Sequence, residues 1–123
     1  MKLATLLYIR NSKGEYLLIE RLKQPNKGRL SPPGGKLNLP EAESPLACAV
    51  REAEEECGII STFDDWTFLG TISEKDYPDI GNIMIFAFLY NKIFDTLPPD
   101  FDEGSFRFVH PGEFQNANIP ESD

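Results

Sequence analysis

Along this chain the spacing of apolar residues changes period twice. Leu3 to Ile9 is apolar and rich in strand formers, and reads as a first strand. Asn11-Ser12-Lys13-Gly14 carries turn residues, and Glu15 to Arg21 reads as a second strand, so the chain is predicted to open with a hairpin. Leu22 to Pro33 is a polar loop bearing Lys23, Lys27 and Arg29, and Pro32-Pro33-Gly34-Gly35 stops any regular element. From Ser44 the period becomes helical. Serine suits the N-cap, Pro45 the first helical position and Gly58 the C-terminal stop. Between them Leu46, Ala49, Val50, Ala53 and Cys57 fall on one stripe, at about 100° per residue, that should face a core. Trp66 to Ser73 and Asn82 to Ile93 return to strand character. Leu97-Pro98-Pro99-Asp100 marks a loop, and Phe106 and Phe108 alternate with polar neighbours as a last short strand. Trp66, Phe68, Phe86, Phe88 and Tyr90 are expected in the core. Strands around one central helix, with no repeat, low-complexity tract or linker, predict a mixed α/β sandwich in a single domain over residues 1–123. The chain ends at Ile119-Pro120-Glu121-Ser122-Asp123 without a recognisable closing helix.

Composition narrows the function classes. The net charge of −8 argues against a protein that coats nucleic acid, which needs a basic face. It leaves a phosphate substrate open, because a bound metal can reverse the local field. No apolar run approaches a membrane span, and the charged start at Lys2 does not read as a secretory signal. Cys48 and Cys57 on one helix would stand about 13 Å apart and could not pair, so a reducing, cytoplasmic setting is expected.

Candidate chemistry concentrates in Arg51-Glu52-Ala53-Glu54-Glu55-Glu56-Cys57-Gly58-Ile59. On a helix Glu52, Glu55 and Glu56 stand at i, i+3 and i+4 and share an arc away from the apolar stripe, while Glu54 points elsewhere. As plain structure the cluster is unfavourable. Like charges repel at this spacing, and acids in the last turn oppose the helix dipole. Three carboxylates on one face do suit a hard cation such as Mg²⁺ or Mn²⁺. Gly34 and Gly35 upstream would let backbone come close to a phosphate or metal. Glu43 and Arg51 are spaced for an ion pair that ties the loop to the helix.

Together these residues resemble the Nudix family signature, G-x5-E-x7-R-E-U-x-E-E-x-G-U, in which U is aliphatic. Gly35 takes the first glycine and Glu43 the first glutamate; Arg51, Glu52, Glu55, Glu56, Gly58 and Ile59 follow in register. Gly35 to Glu43 encloses two residues more than the pattern has. We read this as a loop insertion, because loops absorb length more easily than helices. The alternative, Glu41 as the first glutamate, would spoil the second spacing. Cys57 stands where many members have threonine, and Leu30 where an aromatic often stands. Leu17 to Arg21 looks like the second strand of MutT-type members, and Asp102-Glu103-Gly104 like a late acidic loop that supplies a further ligand or base. The resemblance covers about residues 3–114.

It implies a Nudix fold, a mixed β-sheet in an α/β/α sandwich with the Nudix helix at about 44–57. It also implies a closing C-terminal helix, so a shortened chain is expected here. The implied activity is metal-dependent hydrolysis of a nucleoside diphosphate linked to another moiety, with MutT-like nucleoside triphosphate sanitation as the first substrate reading. Glu52, Glu55 and Glu56 are assigned to the metal, with the Gly35 carbonyl as a backbone ligand and Mg²⁺ or Mn²⁺ as cofactor. Arg51 belongs to the catalytic set, Glu103 is the candidate base, and Arg21, Arg29 and Lys36 are candidates for steadying phosphate charge. The expected partner is a small nucleotide diphosphate compound bound by a monomer or homodimer. An isopentenyl diphosphate isomerase-like enzyme would need a catalytic cysteine and metal-binding histidines, and His110 stands alone, near the end of the last strand. A non-catalytic nucleotide-binding module usually loses signature glutamates, and this chain keeps them. No D-x-D-x-D-G loop supports a calcium-binding protein.

Overall fold

The computed structural model describes residues 1–22, 27–102 and 104–113. Six strands, β1 (Lys2–Arg10), β2 (Tyr16–Arg21), β3 (Leu30–Ser31), β4 (Trp66–Tyr77), β5 (Gly81–Ile93) and β6 (Gly104–Val109), form one mixed sheet with a single long helix, α1 (Pro45–Cys57), against it. The order is β3-β2-β1-β5-β4, with β6 on the other side of β2. β1 and β5 run parallel, Lys2 opposite Ile83 through Tyr8 opposite Leu89, and the remaining pairings are antiparallel.

Alternation along β1 decides which face is covered. Leu7 and Ile9 point to α1 and pack with Ala49, Ala53 and Cys57 of the helical stripe, and with Leu17, Phe88, Tyr90, Trp66 and Phe106. Leu46, Val50 and Phe86 close on this core from its edge. Full burial of one such aliphatic side chain contributes about 1.5–3 kcal/mol, so the stripe is enough to seat a helix of this length on the sheet. Leu18, Leu30 and Val109 form a second, smaller cluster.

The opening hairpin is present, yet β1 and β2 are paired at its base alone, Arg10 opposite Tyr16. Beyond it the strands part, and the segment after β3 fills the opening against β1. The amides of Leu7 and Thr5 donate to the carbonyls of Pro33 and Gly35, both at 2.8 Å, and the Leu37 amide donates to Leu3 at 2.9 Å. Two expectations are corrected. The loop expected over Leu22 to Pro33 contains β3, paired with Ile19 and Glu20. Phe68 is 55% exposed rather than core; β4 is an edge strand, and Phe68 stacks at its surface on Phe88, with ring centroids 5.6 Å apart. Among the described residues α1 covers one face of the sheet, and no helix is long and apolar enough to cross a membrane. The expected absence of a closing helix falls on residues 114–123, outside the described residues.

Candidate active site

The last two turns of α1 bring the signature carboxylates to the opening between β1 and β2. Ser44 caps the helix by accepting the Ala47 amide at 3.1 Å. Gly58, with φ +71°, closes it through its amide to the Glu54 carbonyl, and Ile59 follows to Ala53, both at 3.1 Å. The last turn holds no basic residue, so the countercharge that Glu55 receives there comes from Arg51, one turn earlier.

Arg51 organises the upstream half of the site. Its Nε and Nη2 donate to the two oxygens of Glu43 at 2.7 and 2.9 Å, in a fork that suits guanidinium and carboxylate. Nη1 reaches Glu52 at 2.9 Å and Glu55 at 3.1 Å, and Nη2 also holds the Lys36 carbonyl at 3.1 Å. Glu43 in turn accepts the Asn38 amide at 2.9 Å. The bond to Arg51 holds the Glu43 carboxyl down at about 2, and its partner Glu43 raises the Arg51 pKa. Glu41 is exposed in a 3-10 turn, Leu39–Glu41, that ends on left-handed Ala42 at φ +54°. The two extra residues are therefore taken up outside the helix, and the register that puts Glu43 opposite Arg51 holds.

Glu52 and Glu56 face the glycine pair. Glu56 Oε1 accepts the Gly34 amide at 3.0 Å. A methyl group on Gly35 would meet the Glu52 carboxylate at 2.5 Å, and one on Gly34, at φ +154°, would run into the Thr5 carbonyl. Gly34 is thus required by close approach to backbone, while the space at Gly35 is filled by the end of the Glu52 side chain. The two carboxyls are within hydrogen-bonding reach of each other. Burial, and then its neighbour Glu52, pushes Glu56 up to about 8, and burial likewise raises Glu52. Glu55 is the outer member, with its side chain 58% exposed on the Arg51 side. Glu54 is exposed, on another face.

The structure reassigns the expected part of Gly35. Its carbonyl is turned onto β1, accepting the Thr5 amide at 2.8 Å and the Thr5 hydroxyl at 3.3 Å, with the Cys48 thiol at 3.7 Å. It is not presented to the carboxylates, and the residue's contribution is its missing side chain. Sequence reasoning missed Thr5 and Cys48, which pin the glycine turn to β1 and α1. The available signal was a lone threonine in an apolar strand, and a cysteine off the core stripe on the glutamate side. Burial raises the Cys48 thiol to about 11, and that of Cys57 to about 12, so both stay protonated.

A cleft of about 300 Å³ opens from Glu56, Gly34 and Gly35 across Ala4, Leu6, Ile83 and Ile85 to Ile19, Arg21, Ser31 and Phe101. It brings Arg21 together with Glu56. Arg29 and Lys36 do not line it. Glu103 lies outside the described residues. Gly104 begins β6, where a side chain would strike Ile19 and the Glu20 carbonyl, so it serves close packing. His110 is exposed and accepts the Gly112 amide at 3.0 Å. Among the described residues no three potential metal ligands already converge. The pair that does, Glu52 and Glu56, is half-buried, short of full countercharge and backed by a cradle that a Cβ would fill, and this donor set fits a hard divalent ion.

The family model for the NUDIX domain matches residues 1–123. The fold is similar to a MutT protein from Methanosarcina mazei Go1, at 23% identity and a TM-score of 0.79, covering 97% of this chain and 84% of that one. It is similar to a MutT protein from Bacillus halodurans, at 22% identity and 0.75, covering 100% and 77%. It is also similar to the NUDIX domain of Shewanella oneidensis NrtR, crystallised with ADP ribose, at 13% identity and 0.72, covering 96% and 77%. At these identities the likeness is one of fold.

Proposed function

The chain belongs to the NUDIX domain family and is a hydrolase acting on phosphoric anhydride bonds, and from this premise we propose that it cleaves a nucleoside diphosphate linked to another moiety, with a nucleoside triphosphate as first substrate. The observation that carries this reading is the half-buried Glu52–Glu56 pair against Gly34 and Gly35, with Glu56 lining one end of a nucleotide-sized cleft. Glu52 and Glu56, with Glu55 at the rim, would hold Mg²⁺ or Mn²⁺. When bound, such an ion polarises phosphoryl oxygens and lowers the pKa of a water. Arg51 keeps Glu52 and Glu55 aimed, and its own charge is occupied by Glu43. Arg21 steadies phosphate charge across the cleft. Glu103 is our candidate for the base that takes the proton of the attacking water. The apolar floor of Ala4, Leu6, Ile83 and Ile85 excludes water beneath the substrate. A neighbour of the same fold is complexed with ADP ribose, which supports a nucleotide diphosphate as the ligand. Two buried, free thiols suit a reducing compartment, and we place the protein in the cytoplasm.

The test is a phosphate-release screen over nucleoside triphosphates, ADP-ribose, nucleotide sugars and dinucleoside polyphosphates, each with Mg²⁺ and with Mn²⁺. Turnover of at least one class is expected. Absence of turnover on every class would overturn the reading in favour of a ligand-binding module.

A further inference from the structure

The segment after β3 pairs with β1 incompletely, and the gap falls at the glycine turn. Residues 33–37 run antiparallel to β1, with Leu7 donating to Pro33, Thr5 to Gly35 and Leu37 to Leu3. Residues that face each other in this way normally exchange two bonds, so the Gly35 amide should return one to the Thr5 carbonyl. Among the described residues no such return bond is formed. Gly34, at φ +154°, lies so close over that carbonyl that a side chain on it would strike it, and the chain turns toward α1. This departure brings the Gly34 amide to Glu56 at 3.0 Å and leaves beside Gly35 the space that the end of the Glu52 side chain fills.

A break in a ladder strands a backbone donor, and a stranded donor favours a return to regular pairing. The Thr5 side chain supplies the replacement acceptor. Its hydroxyl, in a residue only 2% exposed, stands 3.4 Å from the Gly35 amide, which donates to it, and donates to the Gly35 carbonyl at 3.3 Å. The Cys48 thiol of α1 lies 3.6 Å from the same hydroxyl and 3.7 Å from each of the Gly35 and Lys36 carbonyls, so the turn is held from both sides. On the face that β1 turns to α1, Thr5 is followed by Leu7 and Ile9, which offer an amide nothing. A hydroxyl both accepts and donates, and a valine of nearly the same shape does neither.

We propose that Thr5 is a positioning residue for the hydrolysis: its hydroxyl takes the Gly35 amide off the β1 ladder, holds the glycine turn toward α1, and so sets Glu56 and Glu52 in the places where they act. Thr5 works through these two carboxylates rather than on the reacting atoms. This rests on the hydrolase reading above and adds to it a residue far from the signature in sequence.

The experiment compares wild type with Thr5→Val, which removes the hydroxyl, Thr5→Ser, which keeps it, and Ile9→Val, which trims the core on the same face of β1 away from the turn. One readout is kcat and KM on a substrate that wild type turns over, with Mg²⁺ in excess. The other is hydrogen exchange of the Gly34, Gly35 and Leu37 amides in the metal-free protein. Removing the partner of a buried donor costs about tenfold in an equilibrium. Thr5→Val should therefore lower kcat about tenfold with KM within about twofold, and speed exchange at Gly34 and Gly35 about tenfold while Leu37 stays within about twofold. Thr5→Ser should restore both. Ile9→Val should lower the melting temperature and leave kcat and the glycine amides near wild type. Thr5→Ala also lacks the hydroxyl and takes the place of Thr5→Val if that variant does not fold. Wild-type kcat and glycine exchange in the variant without hydroxyl would overturn the proposal. So would a loss shared equally by Ile9→Val, or one that serine does not restore. A wild type without turnover on any phosphoric anhydride would count against the hydrolase reading, and exchange at Gly34 and Gly35 would still decide whether Thr5 holds the turn.

Discussion

Three consecutive glutamates, Glu54, Glu55 and Glu56, have three different surroundings, and the differences make predictions. Glu56 is half-buried and bonded to Gly34, Glu55 stands at the rim against Arg51, and Glu54 is exposed on another face. Glu56→Gln and Glu55→Gln should each lower kcat, the former by about 10²- to 10⁴-fold if it removes a group acting on the reacting water or its metal. Glu54→Gln should stay close to wild type. Equal losses from Glu54→Gln and Glu56→Gln would end the helical-face argument. Glu103→Gln should lower kcat more than it raises KM, since a base acts in the transition state; unchanged turnover on a verified substrate would move the base elsewhere. Titration of the metal-free protein is set by the same burial. Glu56 has an ordinary value near 4.5 and is raised to about 8 in the fold. The folded state therefore binds more protons between those values, and this contribution to stability is full below about 4.5 and is lost as pH rises through about 8. Glu43 works in the opposite window, its contribution being lost as pH falls from about 4.5 toward about 2. In chelator, the melting temperature of wild type should carry a downward slope from pH 5 to 8 that Glu56→Gln flattens. Parallel slopes in the two proteins would show that Glu56 titrates normally.

At the scale of elements, what was legible in the sequence followed periodicity and caps. Helix α1, Pro45–Cys57, runs between the caps Ser44 and Gly58 as its N-cap, proline and glycine predicted, because those signals are local. The Glu43–Arg51 pair was legible for a related reason: helical spacing carries one partner and a short loop the other. What the sequence concealed depends on contacts between distant segments. The parting of β1 from β2 after a single pairing, and the docking of Pro33 to Leu37 on the edge this exposes, follow from sheet twist and from competition between two partners for one edge. Phe68 misled because an aromatic in an alternating strand gives no sign of whether that strand is central or at the edge. Gly35 was read as a supplier of a carbonyl when it supplies space, and a sequence cannot distinguish these uses of glycine. The distinction is testable. Gly35→Ala puts a methyl into the Glu52 carboxylate and must displace that carboxylate from its place beside the glycine turn. A shift on the order of 1 Å at such a site costs about 10²-fold in rate, so kcat should fall by that order while the Pro45–Cys57 helix remains visible by circular dichroism. Wild-type activity in Gly35→Ala would show that Glu52 can turn aside, and that the close approach has no functional weight.

The whole molecule carries net charge −8, and three of its acids stand on one arc at the end of α1. Any cation will stabilise such a chain somewhat by screening, so a rise in melting temperature with salt says little about a site. A bound ion behaves differently, because it stabilises by its affinity for the folded state alone. At about 100 times its dissociation constant that amounts to about 2.7 kcal/mol, which for a domain of this size corresponds to a rise of roughly 10 °C. Mg²⁺ or Mn²⁺ should therefore raise the melting temperature well beyond sodium chloride at equal ionic strength. The excess should vanish when Glu52→Gln and Glu56→Gln are combined, while the response to sodium chloride remains. A pH signature follows from the same carboxyls. Metal must displace the proton that burial and Glu52 keep on Glu56, so the excess should be larger at pH 8 than at pH 6, the reverse of the slope without metal. A divalent response no greater than that of sodium chloride, or one that survives in the double variant, would remove the metal from Glu52 and Glu56. The half-buried pair would then be left as a proton-sharing dyad beside the glycine turn.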